Sequence, residues 1–308
     1  MKQSFIGALC LTLAASIWGG MYVVSKYVLG YISPLALVWI RYILAVALLF
    51  TVILVLRIKG RKPDRITKRD WILLIWIGFI GYFVSIVSQF MGTKLSDAHT
   101  GALITSTTPA FVVVFARLVL KEPMTARKII SLVLSTGGVV ITIGLPDHFG
   151  SYFKGSLILV LAAVTWALLS VYVKKASASL SSLTITAYAT LFALFFTTPF
   201  MVHDWNAGSV HLGSPAILSG VLYLGIVSTA GAFFLWNKGL EMMDTGIGSL
   251  FLFFQPVVGT LFGWLLLGEQ LTARFGIGSV LILVGVSIAS LEKTGLSRQE
   301  GQVAHPVK

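Results

Sequence analysis

The sequence predicts an all-α polytopic membrane protein, with ten transmembrane helices arranged as two inverted five-helix repeats. Three observations carry this. Of 308 residues, 56% are hydrophobic and only 11% charged, with a mean hydropathy of +0.91, whereas a soluble domain carries about 25% charged residues. The apolar runs are long enough for spans of roughly 20 residues each. The second half of the chain also repeats residues of the first half in the same order.

The spanning helices are placed at 5–29, 33–56, 71–93, 98–120, 127–145, 154–174, 182–202, 215–238, 246–267 and 274–291. Gly30 to Pro34, the charged stretch Arg57 to Asp70, Glu122–Pro123 and Pro146 to Gly150 separate several of them. The first run follows only Lys2 and exceeds a signal h-region of about 7–15 residues, so it is read as a retained first span. The polar tail 292–308 is expected to be disordered and cytoplasmic.

The repeat defines two units, 5–145 and 154–291. At an offset of 148 residues, Ala14–Ala15 falls on Ala162–Ala163, Trp18 on Trp166, Lys26 on Lys174 and Ser33 on Ser181. Later, at an offset of 147, Gly78 meets Gly225, Gly92 meets Gly239, Asp97 meets Asp244, Gly101 meets Gly248 and Pro109 meets Pro256. Glu122 meets Glu269, and Thr125-Ala126-Arg127 meets Thr272-Ala273-Arg274. General hydrophobicity would not keep proline, glutamate and Thr-Ala-Arg in one order.

Five helices per unit is odd, so the second unit enters the membrane from the opposite side. The loops agree. Arg57, Lys59, Arg61, Lys62, Arg65, Lys68 and Arg69 crowd the loop after helix 2, while its counterpart from His203 to Ser214 has no lysine or arginine. The positive-inside rule puts the basic loops, and with them both termini, in the cytoplasm of a cell bearing this protein in its inner or plasma membrane. Lys174, Lys175, Lys293 and Arg298 fit that assignment.

Composition also excludes chemistry. Cys10 is the single cysteine, so no internal disulfide and no thiolate metal site forms. His99, His148, His203, His211 and His305 make no pair at metal-ligand spacing. The net charge of +12 is read as loop charge rather than as a nucleic-acid surface. No nucleophile–base pair or carboxylate dyad lies at bilayer depth, so neither an enzyme nor a cofactor is expected. A homo-oligomer is left open.

Inverted repeats suit a carrier, because two similar halves of opposite sense form two states of similar energy around a midplane site. Helix 3 carries Gly78, Tyr82, Ser85, Gln89 and Gly92 on one face; helix 8 carries Gly225, Thr229, Ala232, Trp236 and Gly239. Helix 1 offers Trp18, Tyr22 and Ser25, and helix 6 offers Trp166 and Ser170. Small members of such stripes equally serve close packing. Pro109 and Pro256 interrupt helices 4 and 9 near their middles and free the carbonyls of Thr105 and Leu252, with Thr108 and Gln255 at equivalent positions. The run from Thr105 to Thr108 could satisfy the first carbonyl locally. The expected substrate-binding set is therefore Trp18, Tyr22, Tyr82, Gln89, Thr105, Thr108, Trp166, Ser170, Trp236 and Gln255.

Charges within spans are few. Arg41 lies about 6 Å from the middle of helix 2, at 1.5 Å per residue. It either attracts a substrate anion or, the reading favoured from sequence, bonds backbone carbonyls. Lys26 is placed to snorkel. The absence of a mid-depth carboxylate favours exchange or facilitated diffusion over proton symport. Glu122 and Glu269 read as capping groups at helix ends.

Trp18-Gly19 followed by Lys26, Pro34 followed by Arg41, the interval from Pro109 to Glu122, and its repeat from Pro256 to Glu269 resemble the EamA-like branch of the drug/metabolite transporter superfamily. The resemblance covers about residues 5–291. It implies ten helices with both termini cytoplasmic, a cavity lined by helices 1, 3, 4, 6, 8 and 9, and export or exchange of metabolites such as amino acids. The second half has Ala189 where the first has Arg41, a departure from strict duplication. The contrary expectation is a non-transporting receptor or assembly factor. The partners expected are a small-molecule substrate and the lipid bilayer.

Overall fold

A computed structural model describes residues 2–95, 104–143, 153–205, 213–267 and 273–290, with no β-strand among them. Helix α1 is Lys2–Val28 and α2 is Pro34–Ile58. Helix α3 runs from Lys68–Trp76 through a π-helical stretch, Ile77–Ser85, into Ile86–Leu95. Helix α4 is Thr108–Phe115 with a π turn at Ala116–Leu120, and α5 is Ala126–Ile143. Helix α6 is Phe153–Ala176 and α7 is Ser182–Trp205. Helix α8 joins Pro215–Leu222, a second π stretch at Tyr223–Gly231, and Ala232–Met242. Helix α9 joins Thr245–Ser249, a 3-10 stretch at Leu250–Phe253, and Phe254–Leu267; α10 is Ala273–Ser290. Six of these are long and apolar enough to cross a membrane: α1, α2, α3, α6, α7 and α8. Shorter apolar helices lie within α4, α9 and α10.

Local chemistry explains the starts. Ser33 caps α2 by accepting from the Ala36 N–H, with Pro34 in the first turn. Thr67 and Asp70 form a reciprocal capping box on α3. Asp244 accepts from Ile247 at the head of α9.

Burial is the reverse of a soluble protein's. Leu118 is 69% exposed and Phe195 65%, while Ser170, Thr186, Thr190, Thr197, Ser228, Thr229 and Asn237 are fully buried. Apolar outer faces need a lipid solvent. Several buried hydroxyls return to the carbonyl one turn back, as in Thr186 to Ser182 and Thr190 to Thr186.

The packing pairs helices in matched sets. Helix α1 lies on α8 and α9, while α6 lies on α3 and α4; α2 pairs with α7 and α5 with α10. The close approaches match residue by residue. A Cβ at Gly239 would meet Leu11 and the Gly7 carbonyl, and one at Gly92 would meet Leu159 and the Gly155 carbonyl. Leu11 and Leu159 are 148 residues apart, as are Gly7 and Gly155. Gly78 abuts Phe192, and Gly225 abuts Leu44, again a 148-residue pair.

Both prolines stand beside breaks in helical geometry. Residues 96–103 lie outside the described set; Ile104 and Thr105 are helical, 106–107 form a turn and helix resumes at Thr108, so Pro109 stands in the first turn after a break inside the expected span. Proline is tolerated there, since the N–H it lacks has no intrahelical partner. The Thr105 carbonyl is satisfied by the Thr108 hydroxyl at 2.6 Å. Pro256 likewise follows a departure from α geometry, the 3-10 stretch at Leu250–Phe253. The tail 292–308, Asp97, Gly101, Glu269, Thr272 and the histidines other than His203 lie outside the described residues, as do the Lys26 and His203 side chains.

Candidate functional site

A cavity lies where α1, α2, α3, α4, α6, α8 and α9 converge. These are the six helices implied by the family resemblance, together with α2 through Arg41. Trp18, Gln89, Thr105, Thr108, Trp166 and Gln255 line it, six of the ten residues expected from sequence. Tyr82, Ser170 and Trp236 do not line it. All three are fully buried behind the wall. The Tyr22 side chain lies outside the described residues. Lining groups beyond the expected set include Arg41, Ser85, Ser106, Phe233 and Leu252.

One wall is aromatic. Trp18 meets Trp166 edge to face at 5.3 Å, and Phe233 at 6.0 Å. Behind them Trp236 lies 5.5 Å from Trp18, and Tyr82 stacks on Phe233 at 4.4 Å. The two π stretches help to fix these rings. A π turn leaves carbonyls without their usual i+4 donor. The Tyr82 carbonyl accepts from the Tyr42 hydroxyl, and the Ser228 carbonyl accepts from Trp18 Nε1 at 3.0 Å. The stretches start 146 residues apart, within one residue of the repeat offset. Neither the π geometry nor its donors has a sequence signature. Asn237 was also missed. It is fully buried and donates through Nδ2 to the Tyr82 hydroxyl and to Thr186 Oγ1, both at 2.9 Å. A lone amide inside an apolar span was the available signal.

Arg41 differs from its favoured sequence reading. Its described partners are side chains, not backbone carbonyls: Nε donates to Thr229 Oγ1 at 3.0 Å, and Nη2 approaches Met21 Sδ at 3.6 Å.

The cavity encloses about 50 Å³, room for a few water molecules. A metabolite enters only if the helices part. A larger crevice of about 420 Å³ lies between α2, α7 and α8; Arg61 and Lys238 line it, but its exposed surface is mainly apolar and includes the outward-facing Leu48 and Val52. Among the described residues no group of histidine, cysteine or carboxylate side chains could hold a metal.

The end of the bundle bearing the basic 57–70 loop is tied shut. Glu122 accepts from the Thr245 and Gly246 N–H groups at 2.9 and 3.1 Å, so it caps α9, a helix of the other half. Lys128 Nζ pairs with Asp244 at 2.7 Å and Glu122 at 3.7 Å. Lys174 Nζ donates to the carbonyls of Leu240, Glu241 and Met243, closing the end of α8. Asp70 and Asp64 bind Ser179 and Ser181.

The EamA-like transporter family model matches residues 5–144 and again 153–291. The chain belongs to the EamA-like transporter family. A transporter of Archaeoglobus fulgidus is 28% identical over 90% of this chain and 96% of its own length. The transporter YetK of Bacillus subtilis is 24% identical over 95% of this chain and 89% of its own. A solved crystal structure superimposes with a TM-score of 0.75 at 20% identity, covering 96% of this chain and 98% of the other, which establishes a shared fold. As an EamA-like protein it is an integral membrane transporter, and family membership points away from catalysis.

Proposed function

We propose that the protein is a secondary transporter that exports small metabolites, amino acids or related compounds, by alternating access. Its halves, 5–145 and 154–291, act as inverted five-helix repeats contributing ten spanning helices, with the tail 292–308 beyond them. The protein sits in the cell's inner or plasma membrane with both termini cytoplasmic.

The observation that carries this reading is the meeting of Trp18 and Trp166, repeat-related residues, on the wall of a small central cavity. The exchanged glycine contacts support two halves that rock against each other. The tied basic end supports a state sealed towards the cytoplasm. Substrate contacts are assigned to Trp18, Gln89, Thr105, Thr108, Trp166 and Gln255, with Tyr22 kept from the sequence pattern alone. Tyr82, Ser170 and Trp236 hold the wall from behind. Exchange or facilitated diffusion fits the absence of a carboxylate from the cavity lining among the described residues.

The test is counterflow in proteoliposomes containing the purified protein, over a panel of labelled amino acids and related metabolites. Saturable flux of a panel member is expected. No flux for any member would favour a non-transporting receptor or assembly factor. Orientation is tested by reagent access to cysteines placed by Lys62→Cys and Asn206→Cys in a Cys10→Ser background. Labelling from opposite faces is expected, and labelling from one face would end the inverted-repeat reading.

A further inference from the structure

Arg41 is the only basic side chain lining the cavity among the described residues, and it is 2% exposed. No ion pair among those residues includes it. Among the described residues its Nη1 has no hydrogen-bond partner, its Nη2 meets the Met21 thioether, and the Phe90 ring centroid lies 5.2 Å from the guanidinium carbon. Among the same residues only Nε has an oxygen partner, the Thr229 hydroxyl. A buried guanidinium held this way is under-satisfied. Burial of a charge is costly without a counter-charge and complete hydrogen bonding. The helix nonetheless places it on the cavity wall.

We infer that Arg41 anchors the carboxylate of a small organic monoanion whose apolar or aromatic body packs on Trp18, Trp166 and Phe233. The assignment rests on reading this cavity as the carrier's substrate site. A single positive charge matches a single negative one. A phosphate dianion would need a second cation, and none lines the cavity among the described residues. The other polar lining groups, including Gln89, Ser106 and Gln255, are neutral. The remainder of the wall, with Met21, Ile86 and Leu252, is apolar. The position is not duplicated. Its repeat counterpart Ala189 instead offers its carbonyl to the close approach of Gly78. The carboxylate therefore has one anchoring side, and the substrate binds in one orientation.

The test is binding to full-length protein in lipid nanodiscs at neutral pH, followed by intrinsic tryptophan fluorescence. The probes are 3-phenylpropionate, its uncharged amide, phenylalanine and phenyl phosphate. At least one carboxylate is expected to bind about tenfold or more tighter than the amide, as a charge-assisted hydrogen bond predicts, and tighter than phenyl phosphate. Comparing 3-phenylpropionate with phenylalanine separates simple carboxylic acids from amino-acid zwitterions. Arg41→Met is expected to erase the preference and Arg41→Lys to keep part of it. Equal binding of carboxylates and amide, tighter binding of phenyl phosphate, binding of none, or a preference that survives Arg41→Met would overturn the assignment. If Arg41→Met does not fold, the wild-type comparison decides alone. Counterflow on the same preparation separates the two readings. Carboxylate binding without flux would sink the carrier and leave the anion site. Flux of neutral or cationic compounds alone would do the opposite.

Discussion

Trp18 and Trp166, 148 residues apart in the chain, meet edge to face with ring centroids 5.3 Å apart and planes at 87°. Each is the other's counterpart in the sequence repeat, so the cavity wall forms where the two halves touch. Trp18 is also held by its Nε1 bond to the Ser228 carbonyl. Aromatic pairs of this geometry contribute about 0.5–1.5 kcal/mol beyond area burial. Trp18→Ala and Trp166→Ala are each expected to cut initial flux by about tenfold, the equivalent of roughly 1.4 kcal/mol, with membrane insertion retained. Tyr82→Ala should also lower flux, but through loss of support behind Phe233, so its thermal stability should fall too. Flux per inserted molecule measures this. Near-wild-type flux in all three variants would show that the cavity wall is not where substrate passes.

The glycine contacts make a prediction about the repeat itself. Added Cβ atoms would approach Leu11 to 2.4 Å at Gly239 and Leu159 to 2.7 Å at Gly92. Overpacking of this kind costs about 1–3 kcal/mol. Gly239→Ala and Gly92→Ala should lower the melting temperature by similar amounts. Gly137 has nothing within 4 Å of an added Cβ, so Gly137→Ala should be neutral or stabilising by up to about 1 kcal/mol, the helix-propensity gain. A neutral Gly239→Ala beside a damaging Gly137→Ala would contradict the packing.

The helices were legible because hydropathy and breakers mark them directly, and the expected ends fall within a few residues of those observed, except at the start of α4, where residues 96–103 lie outside the described set. The site was only partly legible. Periodicity assigns a face, and Gln89 and Trp166 on those faces do line the cavity. It does not say whether a residue on that face reaches the cavity or stops behind another side chain, as Tyr82 does behind Phe233. The π stretches shift the register further, because each turn there takes up more residues than the 3.6 the stripe assumed. Arg41 was misjudged because its partner, Thr229, lies 188 residues away. No local pattern announces such a bond.

Asn237 links α8 to α3 and α7 through Tyr82 and Thr186. Removing one member of a buried polar set leaves the others without partners, at about 1–3 kcal/mol. Asn237→Ala and Tyr82→Phe should each destabilise the protein within that range. The double variant should lose less than the sum, because the second change removes a group already stranded. Thermal unfolding of the four proteins in one detergent gives the coupling. Full additivity would mean the Asn237–Tyr82 bond contributes nothing in solution.

At the tied basic end, Glu122 and Asp244 lie together beside Lys128. Burial and the neighbouring Asp244 push the Glu122 carboxyl above its ordinary 4.5. For Asp244, burial acts upward as well, but hydrogen bonds from Glu122 and Lys128 and the charge of Lys128 outweigh it, holding the carboxyl below 3.8. A raised carboxyl penalises the folded state when ionised. That penalty is relieved as pH falls through the raised value, and fully so below about 4.5. Asp244 acts in the opposite sense, but its stabilisation is lost only as pH falls below about 3.8 and through its depressed value. Between neutrality and about pH 5, then, wild-type stability should rise relative to Glu122→Gln, whose side chain holds no titrating proton. Because this cluster ties α4 and α5 to the head of α9, the same proton should favour the state closed at this end. Counterflow should slow on acidifying the face that bears the basic loops, and Glu122→Gln should remove that slowing. Parallel stability curves for wild type and variant across the window would mean that Glu122 takes up no proton there.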